Sequence, residues 1–401
     1  MREPPDSQER GREPREAPLA IVQFDALPGV IDLAVGHPDP SLLPVEGLKR
    51  AAARVMDTYG SDALAYGASA GPGPVIGWIQ ERLQAIDLGA PRLDSIVLSA
   101  GSSQGLDHIA TLLTAPGDVV LVEAPTYHLA LRILKDHAVE TVAIATDASG
   151  LVLRDLKATL SLLRRQGRNV RLLYTIPTFH NPTGRCLAND RRQQLVDLAA
   201  DDGLLIVEDD VYRELAYDGP APPSLWSLAL PGTVARLGSF SKSLAPGLRS
   251  GFITSDPTLT DRIRQSGMLD SGGGISHFSS LVVAEFADCG DYNRHVERLR
   301  KAYAERRDAL LAALSRHLEG KARWTHPSGG YFVWLELTLP IDATAILSHV
   351  HAHGTSYLPG SICYLDQARG HNALRLAFSR YSPEELSEGV RRLAQAIGDA
   401  V

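Results

Sequence analysis

Residues 238–251 read GSFSKSLAPGLRSG, and the reading of the whole chain turns on this stretch. The protein has 401 residues and 40 lysines and arginines together, of which only six are lysines. One of those few, Lys242, stands between Ser241 and Ser243 in a run punctuated by glycine and proline, with Arg249 close behind. A surface lysine needs no such setting. A lysine that forms a covalent bond near a phosphate does: serine hydroxyls and a guanidinium fork suit phosphate oxygens, and a nearby cation in a desolvated site favours the neutral, nucleophilic amine.

The flanking sequence shows where this lysine falls. From about Asp94 to Ser255, short β-rich runs (SIVLSAG, DVVLVEAP, VETVAIAT, NVRLLYTIP, LLIVEDD, TVARLGSF and SGFITSD) alternate with segments of helical apolar spacing. Several runs are apolar at successive positions, the pattern of strands covered on both faces. The alternation predicts an α/β fold with a mostly parallel, seven-stranded sheet between helices. Beyond about Asp291, RHVERLRKAYAERRDALLAALSRHL reads as one long amphipathic helix. Strand, helix, strand and helix follow, and the last helix opens on SPEE, where Ser382 can cap, Pro383 suits the first position and Glu385 completes a capping box. The organisation expected is a disordered arm at 1–18, a segment at 19–50 joining a smaller α+β domain, a large domain at 51–290 and the small domain at 291–401.

Open α/β sheets hold ligands beyond the carboxyl ends of their strands. Three successive strand ends here carry chemistry: Asn181 in TFHNPTGR, Asp209 and Tyr212 in VEDDVYREL, and Ser239, Ser241, Lys242 and Arg249 in the opening stretch. Taken singly, NPTG is a turn sequence and EDD a solvated acidic turn. An earlier run ends in SAGSSQGLDHI, where free N–H groups at a helix start near Gln104, with the hydroxyls of Ser102 and Ser103, form an anion site or a plain strand-to-helix turn. Tyr127 in EAPTYHLAL lies past another strand end.

Together these residues meet the needs of pyridoxal 5′-phosphate. The lysine forms the imine, a carboxylate keeps the ring nitrogen protonated, an amide and a phenol satisfy the ring oxygen, and an aromatic face stacks on the ring. The motifs NPTG, EDDVY and SFSKSLAPGLRSG, in this order, make the chain resemble a fold-type I, class I/II aminotransferase from about residue 20 to 400. The likeness is to the branch of 2-aminoadipate and kynurenine aminotransferases and MocR-type regulators.

The resemblance implies that Lys242 is the Schiff-base lysine and acid/base, that Asp209 pairs with the pyridine nitrogen, and that Asn181 and Tyr212 bind the ring oxygen. It places Ser102, Ser103, Gln104, Ser239, Ser241 and Arg249 around the cofactor's phosphate end, with Tyr127 on the ring. Arg375 in ALRLAFSRY would clamp the α-carboxylate of an amino-acid or 2-oxo-acid substrate, with Gly36, His37 and Asn181 beside it. Tyr66 would reach the partner site of a homodimer. Three positions depart from the pattern: His180, Val35 in LAVGHPDP beside His37, and Ser250. The implied reaction is ping-pong transamination. The same residues also serve elimination, decarboxylation and oxidative deamination of amino acids, and a MocR-like effector-binding role is the alternative outside catalysis.

A net charge of −7 gives no field that attracts nucleic acid, and a MocR regulator needs a DNA-binding domain where this chain has a short charged arm. No apolar run approaches membrane-spanning length, and the three isolated cysteines fit a reducing cytoplasm. His349 and His353 share a helical face, but no carboxylate or cysteine is expected beside them, so no metal site is assigned. The pair Glu208 and Asp209 could suggest glycosidase chemistry, which Lys242 and Asn181 argue against. The glycine-rich DSGGGISHF lacks the lysine of a nucleotide loop and, by the resemblance, is a flexible loop near the dimer interface.

Overall fold

The computed structural model describes residues 28–400, so the expected arm at 1–18 lies outside the described residues. Strand β1 (Ile31–Asp32) precedes a large sheet built from β2 (Ile96–Ser99), β3 (Val119–Ala124), β4 (Glu140–Asp147), β5 (Gly150–Leu151), β6 (Val170–Thr175), β7 (Leu205–Asp209), β8 (Val234–Ser239) and β9 (Gly251–Thr254). Their order across the sheet is β2-β9-β8-β7-β6-β3-β4-β5. The seven runs read from the sequence are all present. The eighth strand, β5, is a two-residue antiparallel addition on β4 and too short to leave a pattern. Strands β3, β4, β6, β7 and β8 are parallel to their neighbours among themselves, whereas β9 runs against both β2 and β8. β3 and β9 are buried at every position, as strands covered on both faces must be.

This order fixes where a ligand can sit. The chain leaves β3 toward β4 on one side and leaves β6 toward β7 and β8 on the other, so loops diverge between β3 and β6 and open a crevice at their carboxyl ends. β9 adds a second convergence. Its first residue, Gly251, pairs with the last residues of both β2 and β8, Ser99 and Ser239. The turns after β2 and β8 are thereby held side by side.

The 28-residue helix Asp291–Leu318 leads into the smaller unit, where β10 (Ala322–Trp324), β11 (Phe332–Leu337), β12 (Thr355–Ser356), β13 (Leu358–Pro359) and β14 (Ala373–Ala377) follow. β10, β11, β14 and β13 form an antiparallel sheet, and β12 pairs in parallel with β1, which places Ile31–Asp32 against Thr355–Ser356. β10, β12 and β13 have two or three residues each and are additions to the expected pattern. The closing helix, Pro383–Asp399, carries the expected capping box between Ser382 and Glu385. The helix Val45–Tyr59 runs across the expected boundary at 50/51 and packs on the helix His277–Asp288. The helix expected between the two longer strands of this unit is regular only over Leu347–Ala352. Among the described residues no helix is long and apolar enough to cross a membrane.

Candidate active site

One cavity of about 740 Å³ lies over the carboxyl ends of β2, β3, β6, β7 and β8 and under the small sheet. Lys242, Asp209, Tyr212, Asn181 and Tyr127 all line it, as do Ser102, Ser103, Ser239, Ser241 and Arg249 at one end and Arg375, Gly36 and His37 at the other. Residues spread from position 36 to 375 therefore meet at one place.

Lys242 follows the end of β8. Its Nζ donates to the carbonyl of Gly36 (3.1 Å) and lies 5.5 Å from the centre of the Tyr331 ring. The Tyr331 hydroxyl in turn donates to the Lys242 carbonyl (3.1 Å). Burial, aided by the charges of Arg375 and Arg249, lowers the amine from its ordinary value to about 8. Asp209 ends β7. Burial, with Asp210 adding repulsion, raises its carboxyl to about 6, against the pull of the Tyr174 hydroxyl and Lys242. Tyr174 donates to Asp209 Oδ2 (2.7 Å), while Oδ1 is buried and meets no donor among the described residues.

Strand alternation separates the acidic run. Glu208 accepts from the N–H groups of Leu225 and Trp226 at the start of a short helix, on the far side of the sheet. Asp210 pairs with Arg213 and Arg236 in a buried network that also holds Asp87. Only Asp209 faces the cavity. The paired-carboxylate geometry of a glycosidase is absent from this run.

The opposite end of the cavity is built for an anion. Gly101, with φ of +85°, precedes the helix Ser102–Leu113 and turns its first N–H groups toward the opening. A Cβ at Gly101 would come to 3.0 Å from Arg249 Nη2 and press on the guanidinium, and the positive φ already favours glycine there. Arg249 has a left-handed backbone (φ +48°) and donates to the carbonyl of Ala100 (2.6 Å). Ser239 Oγ accepts from the Ser241 N–H (3.2 Å). Gln104 is turned elsewhere: its carbonyl accepts from the Ala100 N–H, and its amide reaches toward His108.

Arg375, in the middle of β14, is 5 % exposed. Its Nη1 donates to Asn181 Oδ1 (2.9 Å) and Nη2 to the carbonyl of Ala34 (2.6 Å). The guanidinium lies 4.2 Å from the centre of the Phe332 ring, which holds it flat, and its Nε is buried without a partner among the described residues. Tyr212 is wedged edge-on between Tyr331 and Phe332. His37 is lowered to about 4 by burial and by the charges of Lys242 and Arg380.

Some residues of the site carried no motif. Tyr174 and Phe332 fill ordinary strand positions, and Tyr331 precedes β11. His128 and Arg380 also line the cavity. Alternation within RLLYTIP was the available signal for Tyr174, since a tyrosine in a buried strand needs a partner for its hydroxyl. His180, flagged as unusual, lies behind the wall and is not among the lining residues. Tyr66 is 88 % exposed and does not line this chain's cavity. Beside it, Gly273 and Gly274 of the glycine-rich segment pack backbone to backbone on residues 67–71. His349 and His353 are joined by Asp399, with ligand atoms within 4.8 Å of one another, which corrects the expectation that no carboxylate stands there. Both ring nitrogens of His353 are already engaged, by the His349 carbonyl and Asp399.

The donor set fits pyridoxal phosphate. A buried carboxylate oxygen without a donor suits a ring N–H, a lysine of lowered basicity suits a carbonyl carbon, and the cradle around Gly101 and Arg249 suits a phosphate.

Comparisons with known proteins agree. The family description "Aminotransferase class I and II" matches residues 28–393. Aromatic-amino-acid aminotransferase 1 of Thermococcus litoralis is 35% identical over 92% of this chain and 88% of its own length. The 2-aminoadipate transaminase of Thermus thermophilus is 33% identical over 94% and 92%. The solved structure of a kynurenine aminotransferase from Pyrococcus horikoshii, with PMP among its ligands, superposes with a TM-score of 0.88 at 34% identity, covering 93% of this chain and 92% of that one. The chain belongs to the class I and II aminotransferases, with the fold-type I architecture, and is an enzyme that moves an amino group between an amino acid and a 2-oxo acid.

Proposed function

We propose that Lys242 carries pyridoxal 5′-phosphate and that the residues around it divide the work of transamination. The observation that carries this reading is the buried Asp209 Oδ1, left without a donor in the same cavity as a lysine lowered to about 8. When bound, the cofactor supplies an electron sink for the α-carbon's electrons. Asp209 holds a proton at the ring nitrogen, with Tyr174 fixing the orientation of its carboxylate. Asn181, whose Oδ1 is taken by Arg375, keeps its amide NH₂ for the ring oxygen, and Tyr212 supplies the second donor. The first N–H groups of Ser102–Leu113, the serines and Arg249 hold the phosphate. Arg375 would bind the α-carboxylate and so orient the α-hydrogen toward Lys242, whose neutral amine would be the base that takes that proton and the acid that gives it back.

The cavity's outer wall, with Pro38, Pro40, Leu43, Ile176 and Phe332, is apolar, while its charged groups other than Asp209 are cations. This favours amino acids with long or aromatic side chains, or with an acidic end, over basic ones. Relatives named for aromatic amino acids, 2-aminoadipate and kynurenine support the same range. Tyr66 stands fully outward and would complete the phosphate end of a second copy in a homodimer.

An anaerobic single turnover with a panel of amino acids tests the reading. Conversion of the cofactor to pyridoxamine phosphate, identified by mass, with release of a 2-oxo acid is the expected result. Return of the starting spectrum with ammonia or carbon dioxide released would place the chain with the elimination, decarboxylation or oxidative deamination enzymes instead.

A further inference from the structure

His180 takes no part in the cavity wall, yet it is 5 % exposed and sits directly before Asn181. Its Nε2 lies 3.2 Å from Glu123 Oε2, a close polar contact although off the line of a good hydrogen bond. Glu123, in β3, is 3 % exposed, and the same oxygen accepts from the Ile176 N–H just past β6 (2.8 Å). On its other side the ring meets its own turn. His180 Nδ1 is 2.9 Å from Thr183 Oγ1 and accepts weakly from the Thr183 N–H (3.4 Å). An acceptor role for Nδ1 places the ring proton on Nε2, facing the carboxylate. The backbone closes the same turn, with His180 N–H donating to Arg185 (2.8 Å) and the His180 carbonyl accepting from Gly184 (2.6 Å).

One side chain therefore ties the turn that carries Asn181 to the neighbouring strand across the crevice between β3 and β6. The next link is Asn181 Oδ1, which accepts from Arg375 at 2.9 Å. Without the imidazole, the turn would hang on its backbone bonds, and Glu123 would keep the Ile176 N–H as its donor with no ring N–H beside it. A buried carboxylate left that way is costly, and the turn would shift to relieve it.

We propose that the buried Glu123–His180 pair is a positioning device for Asn181, fixing the amide that meets the cofactor's ring oxygen and so setting that oxygen's affinity for a proton. The inference rests on the reading of Asn181 given above. His180 acts through Asn181 and is a positioning residue.

The test is a pH titration of the visible band of the cofactor bound on Lys242, measured on holoenzymes whose thermal unfolding has been checked. His180→Phe keeps the volume and removes both ring contacts. Its midpoint should rise by about one pH unit, because loss of an aligned donor raises the proton affinity of the ring oxygen. His180→Gln, which keeps a donor for Glu123, should recover most of that shift. Asn181→Ala should show a shift at least as large, and adding His180→Phe to it should change the midpoint no further, since residues that act through one contact are not additive. If His180→Phe fails to fold, His180→Leu, which also removes both ring contacts, supplies the same comparison with His180→Gln. A folded His180→Phe holoenzyme with an unshifted midpoint, or independent addition of the two substitutions, would overturn the proposal. An unshifted midpoint in Asn181→Ala would instead overturn the reading of Asn181, and the proposal with it.

Discussion

The two ends of the cavity are made differently. At the proposed cofactor end, each polar group lies at or within a few residues of the end of a strand of the large sheet: Gly101 and Ser102 after β2, Asn181 in the turn after β6, Asp209 at the end of β7, Ser239 to Lys242 at and after the end of β8. The register around Gly251 holds two of those turns together. At the substrate end, the wall is gathered from Gly36–Leu43, Phe332, Arg375 and Arg380, segments distant in sequence that the β1–β12 and β11–β14 pairings help bring together, with His128 added from the turn after β3. The first end is a property of a rigid sheet. The second is an assembly of loops around one strand arginine, and it is where substrate choice can vary without disturbing the chemistry.

Substitutions at either end should separate along this line. The largest effect belongs to Lys242→Ala, which removes both the proposed covalent anchor and the proposed proton carrier. Turnover should fall by about 10⁴-fold or more, and the visible band of the lysine-bound cofactor should vanish from an otherwise folded protein. Arg375→Ala comes next and joins the two ends, since its guanidinium bonds both Asn181 and Ala34. Loss of a buried charge partner costs about 3 kcal/mol, so kcat/KM for amino acids should fall roughly a hundredfold, while amines lacking a carboxylate should be little affected. Equal losses for both would make Arg375 a structural residue.

The pH dependence of loading should isolate the cofactor end. Lys242 is lowered to about 8 in the protein, and its neutral form is the nucleophile. The rate at which apoenzyme takes up the cofactor should therefore rise about tenfold per unit as pH climbs toward 8 and level off above it. A rate that is flat from pH 6 to 9 would contradict the depressed amine. The smallest effect is expected at the substrate end: His37→Leu should leave the bound cofactor's spectrum unchanged and alter the preference between acidic and aliphatic donors severalfold, a difference of ~1 kcal/mol. A changed spectrum would mean that His37 serves the cofactor as well.

The same contrast explains what could be read from the sequence. NPTG, EDDVY and SFSKSLAPGLRSG carry chemistry in consecutive residues because a parallel sheet delivers its ligands at strand ends, and the pattern of apolar runs marks those ends. All seven long strands and the capping box at Ser382 were legible for similar local reasons. The roles of Tyr174 and Phe332 were not, since a tyrosine or phenylalanine in a strand looks like core until its neighbour across the sheet is known. β12 and β13 have two residues each, below the length at which alternation can show. Gln104 illustrates the reverse: it does stand in the first turn of the helix, as the sequence suggests, but its side chain turns back to Ala100 and His108. His349 and His353 met their carboxylate, Asp399, from the closing helix 46 residues beyond His353, a contact that spacing cannot reveal.

The most direct test of the account is to fix the cofactor in place and find where it sits. Holoenzyme reduced with borohydride and digested should yield one peptide bearing the phosphopyridoxyl mass, and fragmentation should place it on Lys242 among the six lysines of the chain. The modification on any other lysine, or its absence from a protein that retains the visible band, would contradict the site described here.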